Sequence, residues 1–132
     1  MENEEIKSLR PLILVAEDDD SNFKLIKAII GKKCDILWAK NGEEMLNLYR
    51  DHGKEAWAIL MDIKMPIMNG LEATRIIRQQ RATLPIIMQT AYAFSSDRDN
   101  AIEAGATEVL VKPITVSALR NCLNSYFPEI QW

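Results

Sequence analysis

The chain has 132 residues, of which 48% are hydrophobic and 27% charged, and its formal net charge is −3. This composition is typical of one globular domain, excludes a disordered or fibrous chain, and gives no general electrostatic reason to bind nucleic acid or an anionic membrane. The acidic N-terminus and the lack of a long apolar run predict neither a signal peptide nor a membrane span, so we expect a cytoplasmic protein.

After a polar N-terminal tail over residues 1–10, five short apolar runs alternate with longer amphipathic stretches. The runs have the length of strands and comprise residues 12–16, 34–39, 57–61, 85–89 and 108–111. The first, third and fourth are almost continuously apolar, which is typical of strands that are buried on both faces. We expect one domain over residues 11–127, followed by a C-terminal tail over residues 128–132.

Apolar residues recur every three or four positions between the runs, which predicts amphipathic helices. Asp20 or Ser21 is expected to cap the first helix, and Asn41 has the sequence pattern of a cap for the second. The fourth helix, over about residues 96–104, has few apolar residues. We therefore expect it to be the least firmly docked helix and the mobile element of the domain.

Five strands that alternate with five helices predict an α/β fold with a parallel sheet, because parallel strands need crossover connections. In such a sheet the functional crevice lies beyond the carboxyl ends of the strands. The polar residues that directly follow the runs are therefore the candidate site residues: Glu17, Asp18, Asp19 and Asp20, then Asp62, Thr90, and Lys112 with Pro113.

Carboxylates of Glu17, Asp18 and Asp62 would repel one another unless a cation lay among them. A hard divalent ion such as Mg²⁺ fits this set of oxygen ligands. Beside such an ion Asp62 could attack phosphorus and form an aspartyl phosphate. Lys112 and Thr90 would then neutralise and hydrogen-bond the phosphoryl oxygens.

Each of these residues also has an ordinary structural interpretation. Asp19 and Asp20 are expected to be solvated or to cap a helix, a threonine at a strand end is often a turn residue, and a single lysine is usually on the surface. Pro113 either ends the fifth strand or follows a cis peptide bond that turns Lys112 inward. Only the combination of these groups predicts a site.

The sequence from about Pro11 to Tyr126 closely resembles the receiver domain of two-component response regulators. Four motifs carry the resemblance, and they agree with the family in residue type and in spacing. They are ILVAEDD at residues 13–19, MDIKMPIMNG at residues 61–70, Thr90 with Ala91, and VKP at residues 111–113.

This resemblance implies a flavodoxin-like three-layer (βα)5 sandwich with the parallel strands in the order 2-1-3-4-5. It implies that Asp62 accepts a phosphoryl group from a phosphohistidine, carried by a sensor histidine kinase or a histidine phosphotransfer protein. It also implies that Glu17, Asp18 and Asp62 bind Mg²⁺ or Mn²⁺ together with the backbone carbonyl of Lys64.

The same resemblance implies that Thr90 moves toward the phosphoryl group and that Lys112 pairs with it, so that the surface around the fourth helix and fifth strand switches. One position departs from the family pattern. Many receivers have a Tyr or Phe three residues before the lysine, and this chain has Val109. Because valine has no ring to bury, we expect the switch to act mainly through the Thr90 loop, Tyr92 and the fourth helix.

Residues 65–74 are most similar to receivers at the C-terminal end of hybrid sensor histidine kinases. Two interpretations remain: a stand-alone regulator, or the receiver of a hybrid kinase that passes phosphate to a histidine phosphotransfer protein, and we slightly favour the second. By itself the chain would be a phosphoacceptor that catalyses its own phosphorylation and dephosphorylation. We expect a monomer or weak dimer without direct contact with nucleic acid or membrane.

Three other functions were considered. A receiver-like interaction module that works without phosphorylation would be recognised by loss of Asp62, the acid pair or Lys112, and all are present. A phosphatase of the haloacid dehalogenase type needs a second acid two residues after the nucleophile, where this chain has Lys64. A flavodoxin needs a phosphate loop rich in Ser, Thr and Gly after the first strand, where this chain is acidic.

Overall fold

A computed structural model describes residues 10–92 and 96–132 of the chain. In this part of the chain the strands are β1 (Leu12–Ala16), β2 (Asp35–Ala39), β3 (Ala56–Asp62), β4 (Ile86–Thr90) and β5 (Glu108–Val111). The α-helices are α1 (Asp20–Ile30), α2 (Gly42–His52), α3 (Gly70–Gln80), α4 (Ser96–Ala104) and α5 (Val116–Tyr126). A short 3₁₀ helix, Pro128–Ile130, follows α5.

The five strands form one parallel sheet in the order β2-β1-β3-β4-β5, which confirms the predicted flavodoxin-like topology. Side chains alternate between the two faces of each strand and pack into two apolar layers. One layer contains Leu14, Ile59 and Met88 with residues of α2, α3 and α4, and the other contains Ile13, Leu60 and Ile87 with residues of α1 and α5.

Helix α1 begins at Asp20, at least one residue earlier than a cap at Asp20 or Ser21 predicts. The side chain of Asp19 caps it by accepting a hydrogen bond of 2.9 Å from the backbone N–H of Asn22. The prediction that Asp20 or Ser21 is the cap was therefore wrong, whereas the expectation that Asp19 caps a helix is confirmed. Asp20 is already in the first turn, where its negative charge is favoured near the N-terminal end of the helix dipole. Asn41 caps α2 as predicted.

The two ends of the domain are fixed by different contacts. Residues 1–9 of the predicted polar tail lie outside the described residues, whereas Arg10 donates a hydrogen bond of 2.8 Å to Asp35 at the beginning of β2. At the other end, Trp132 packs against the layer that contains α5, and its indole N–H donates to the backbone carbonyl of Phe127 at 3.2 Å.

Helix α4 makes the smallest apolar contribution of the described helices. Of its nine residues it buries Ala101 and Ala104, while Ile102 remains 51% exposed. Residues 93–95, which precede this helix, lie outside the described residues. Within residues 10–92 and 96–132, no helix is both long and apolar enough to cross a membrane.

Candidate functional site

Three carboxylates meet at the carboxyl-terminal edge of the sheet. Glu17 directly follows β1 and is fully buried, Asp62 is the last residue of β3 and is 5% exposed, and Asp18 lies on the exposed side of the cluster. One carboxylate oxygen from each residue lies within 4.8 Å of the corresponding oxygens of the other two. The three residues predicted as metal ligands by their side chains are therefore close enough to share one cation.

Lys112 supplies positive charge to this cluster from the far side of β4. Its Nζ lies 2.8 Å from Asp62 Oδ2 and 3.3 Å from Glu17 Oε1. Burial opposes the charge on Lys112, but the hydrogen bond and the negative charge of Asp62, together with Glu17, outweigh it and raise the pKa of Lys112. The ammonium is therefore stabilised by both acids. The peptide bond between Lys112 and Pro113 is cis, one of the two forms considered from the sequence.

Glu17 is the least satisfied charge of the site. Its Oε2 accepts a hydrogen bond of 3.2 Å from the backbone N–H of Asp19, but its buried Oε1 has no hydrogen-bond partner in the described part of the chain. Lys112 Nζ is near this oxygen, but outside hydrogen-bond geometry. Burial and the negative charge of Asp62 raise the pKa of Glu17 to about 7. A buried oxygen without a partner, among three carboxylates, fits a divalent metal ion as its ligand.

Thr90 is the last residue of β4 and is 2% exposed. Its hydroxyl oxygen accepts a hydrogen bond of 3.1 Å from the backbone N–H of Tyr92 and lies 3.5 Å from Asp97 Oδ2, in the first turn of α4. The hydroxyl therefore connects the end of β4 with the beginning of α4. Any group that binds this hydroxyl more strongly would disturb both contacts.

The cluster opens into a cavity of about 240 Å³. Its lining includes Asp18, Asp62, Lys64, Thr90 and Lys112, whereas the buried Glu17 is not part of the lining. These six residues, to which the sequence analysis assigned metal binding or phosphoryl transfer, are thus brought to one edge of the sheet. The Lys64 side chain turns toward α4, where its Nζ lies 3.9 Å from Asp97 Oδ2 and 4.9 Å from the centre of the Tyr92 ring.

Trp38 contacts the site in a way that the sequence does not indicate. Its indole N–H donates a hydrogen bond of 2.7 Å to the backbone carbonyl of Glu17, and its ring stacks on Phe23 at a centroid distance of 4.0 Å. From the sequence alone, Trp38 has no predicted role in the site. A bond to a backbone carbonyl leaves no trace in the pattern of residue types, so no signal in the sequence could have revealed it.

Gln89 likewise has no predicted role from the sequence alone, although one feature of the sequence marks this residue. It is a polar residue inside an otherwise apolar run, and in the structure it is 1% exposed and pairs with Asp62 in the register of β3 and β4. Both its Oε1 and its Nε2 are buried without a hydrogen-bond partner among the described residues. The cavity contacts Gln89 as well.

Comparison with known proteins gives the same fold and family. Residues 13–124 match the response regulator receiver domain family. The chain is 40% identical over 121 residues to hybrid signal transduction histidine kinase I of Dictyostelium discoideum. The aligned region covers 86% of this chain but only 7% of the kinase. The chain thus spans a small part of this curated relative.

Two solved structures are similar over 89% of this chain. The receiver domain of the Pseudomonas aeruginosa sensor histidine kinase PA1611 is 31% identical, with a TM-score of 0.78 and 97% of that chain covered, and holds a magnesium ion in its active-site cleft. The Saccharomyces cerevisiae receiver domain of the response regulator Ssk1, solved in complex with the histidine phosphotransfer protein Ypd1, is 25% identical, with a TM-score of 0.81 and 88% of that chain covered.

Proposed function

The chain belongs to the response regulator receiver domain family of two-component signalling, and on that premise we propose that it accepts a phosphoryl group on Asp62 from a phosphohistidine of a partner protein. The observation that carries this proposal is the 2.8 Å pairing of Asp62 with Lys112 within a buried acid cluster. This pairing gives a carboxylate oxygen at the wall of an open cavity and a cation beside it.

We assign the metal ligands of this site to the carboxylates of Glu17, Asp18 and Asp62 and to the backbone carbonyl of Lys64. The unpartnered Oε1 of Glu17 and the close approach of the three carboxylates support this assignment. When Mg²⁺ or Mn²⁺ is bound, it supplies positive charge that offsets the negative charge of the phosphoryl oxygens.

In the proposed transfer an Asp62 oxygen attacks phosphorus as the bond between phosphorus and the histidine nitrogen breaks. The electron pair of that bond stays on the imidazole of the partner. The Lys112 ammonium, now bound to Asp62 Oδ2, moves to a phosphoryl oxygen, and the Thr90 hydroxyl donates to another. Both groups line the cavity in which the phosphoryl group would lie.

The proposed output of phosphorylation passes through Thr90. Moving its hydroxyl toward a phosphoryl group would break its hydrogen bond with the backbone of Tyr92 and its contact with Asp97. Because α4 buries only two alanines, a displacement of its first turn would cost little apolar contact. Val109 is buried in the layer with α3 and α4 and has no ring that could follow Thr90 inward.

We propose a sensor histidine kinase or a histidine phosphotransfer protein as the partner, acting in the cytoplasm. The 40% identity to a hybrid histidine kinase, against 31% to the response regulator DivK of Brucella anthropi, of which the chain covers 96%, favours the role of receiver in such a kinase over that of a stand-alone regulator. If this is right, a phosphorylated histidine phosphotransfer protein will exchange phosphate with the chain in both directions. Transfer in the forward direction alone would favour the stand-alone role.

Incubation with Mg²⁺ and acetyl phosphate, followed by intact-mass measurement, tests the phosphoacceptor directly. We expect one phosphoryl adduct that hydroxylamine removes and that Asp62→Asn abolishes. Asp20→Asn is the matched control, because Asp20 is exposed in the first turn of α1 outside the cluster, and should be labelled like the wild type. A wild-type mass that stays unmodified while another receiver is labelled would contradict the proposal.

A further inference from the structure

Gln89 lies between the two residues that form the central ion pair of the site. Asp62, Gln89 and Lys112 lie on or directly after the neighbouring strands β3, β4 and β5. Two positions before each of them lies a residue of the apolar layer with α1 and α5: Leu60, Ile87 and Leu110. Because side chains two positions apart point to the same side of a strand, the three side chains are on the same face of the sheet. Gln89 is opposite Asp62 in one register and opposite Leu110, two residues before Lys112, in the other. The Lys112 side chain therefore runs diagonally past Gln89 to reach Asp62.

The carboxamide of Gln89 has no partner that explains its burial. The side chain is 1% exposed, and neither Oε1 nor Nε2 has a hydrogen bond among the described residues. Buried polar groups in folded proteins nearly always have a partner, so this carboxamide is available to a donor or acceptor that comes within reach. Since neither atom is bonded, the carboxamide can turn either end toward a neighbour without breaking a hydrogen bond.

Lys112 is the neighbour that will need a new acceptor. Its ammonium now contacts Asp62 Oδ2 and Glu17 Oε1, which belong to the same carboxylates that the proposed function assigns to the metal. A metal ion bound by these carboxylates repels the ammonium, because both are cations, and so weakens its contacts with the two acids. The half-buried ammonium then gains from a further acceptor within reach.

A small cavity beside the pair leaves space for this contact. It has a volume of about 10 Å³ and is lined by Gln89 and Lys112 together with Asn22 and apolar residues of α1. This volume is close to the minimum for one water molecule. The lysine can therefore reach Gln89 Oε1 directly or through a single bridging water.

We propose that Gln89 is a positioning residue that receives the Lys112 ammonium when a divalent metal occupies the acid cluster. The inference rests on the proposed function, because it uses the metal site assigned there. Its effect is to lower the cost of displacing the lysine from the carboxylates, and so to strengthen metal binding.

The substitution Gln89→Met tests this role, because methionine keeps the length of the side chain and removes both polar atoms. Mg²⁺ affinity by titration calorimetry should weaken about tenfold, the factor that one hydrogen bond to a charged group supports. The metal-free protein should unfold in urea at the same denaturant concentration as the wild type, or a higher one. Thr74→Val, which alters a buried polar residue of α3 away from the site, should leave Mg²⁺ affinity unchanged.

A double-mutant cycle with Lys112→Met separates positioning from a general structural effect. If Gln89 acts through the ammonium, Gln89→Met will not change Mg²⁺ affinity further once Lys112 is methionine. Equal Mg²⁺ affinities of Q89M and the wild type would overturn the inference and leave the proposed function intact. A metal-free Q89M protein less stable than the wild type would also overturn it, because the carboxamide would then already have a partner. Failure of the wild type to bind Mg²⁺ would overturn both.

Discussion

Two partly buried cations lie at opposite ends of the parallel sheet, and their hydrogen bonds differ. At the amino-terminal ends of β4 and β5, the guanidinium of Arg78 reaches across from the end of α3. It donates to three backbone carbonyls and one hydroxyl, those of Gly105, Arg81, Leu84 and Thr107. All three of its nitrogens are engaged by neutral acceptors whose positions the backbone largely fixes.

At the carboxyl-terminal ends, Lys112 binds two acids that repel each other, and next to it Glu17 Oε1 and the carboxamide of Gln89 have no hydrogen bond among the described residues. The contrast separates a structural cation from a functional one. Neutral, fixed acceptors allow a single arrangement, and the charge only holds three segments together. Charged acceptors that still lack hydrogen-bond partners allow one cation to be exchanged for another, and a binding site requires such an exchange.

The largest expected effect comes from removing the hydrogen bonds of Arg78 at the amino-terminal ends of the strands. Arg78→Met removes four hydrogen bonds and leaves backbone carbonyls without their donors, so we expect a loss of about 3 kcal/mol in the free energy of unfolding. Urea denaturation of the metal-free protein would measure it. Mg²⁺ affinity should stay at the wild-type value, because Arg78 lies at the far end of the sheet.

Arg75→Met is the matched control for this substitution. Arg75 lies one turn earlier on the same helix and is exposed, so its loss should change the free energy of unfolding by less than about 0.5 kcal/mol. If Arg78→Met reduced the free energy of Mg²⁺ binding by as much as the free energy of unfolding, the division between a structural and a functional end of the sheet would be wrong.

The next prediction is that Glu17, at the carboxyl-terminal ends of the strands, makes the free energy of unfolding depend on pH. Burial raises the pKa of Glu17 from 4.5 to about 7 in the folded protein. Between these values the folded protein keeps a proton that the unfolded chain has lost, so in the absence of metal this residue makes stability fall as pH rises from 4.5 to 7. The expected contribution is about 3 kcal/mol, from a rise of roughly two and a half pKa units.

Comparing the wild type with Glu17→Gln isolates this contribution from the other carboxylates. The difference in unfolding free energy, variant minus wild type, should increase by this amount between pH 4.5 and pH 7.5 when chelator keeps the metal away. Saturating Mg²⁺ should remove the advantage of the variant, because the wild-type carboxylate then has a cation. If this difference stays constant over the pH range, the conclusion that burial raises the pKa of Glu17 is wrong.

The sequence allowed the architecture and the charged part of the site to be predicted for one reason. Parallel strands bring the residues after their carboxyl ends to one edge, so Glu17, Asp62, Thr90 and Lys112 could be placed together from the positions of the apolar runs alone. The limits of the strands shifted by a residue, so that Asp62 and Thr90 are the last strand residues. This shift does not move them from the edge.

The sequence marks Gln89 as a polar residue in an apolar run, but the roles of Gln89 and Trp38 could not be predicted, because they depend on neighbours across the sheet and on backbone atoms. Gln89 matters because β4 lies between β3 and β5, so that the Lys112 side chain runs diagonally past it. Trp38 matters because β2 is next to β1, where its indole N–H meets the carbonyl of Glu17. Strand order follows from the resemblance to the family, but the direction of each side chain and the backbone atom that it meets do not follow from residue types along the chain.

The smallest effect expected at the functional end concerns Trp38, which holds the loop that carries two of the acids. Trp38→Phe removes the hydrogen bond to the carbonyl of Glu17 and keeps an aromatic ring to stack on Phe23, so we expect about threefold weaker Mg²⁺ binding and a loss of about 1 kcal/mol in stability. Trp57→Phe is the control, because Trp57 packs against Phe127 and should leave Mg²⁺ affinity unchanged. If Trp38→Phe reduces stability without changing the affinity, the indole supports the fold alone, since a carbonyl bond that positions Glu17 must also affect the metal that Glu17 binds.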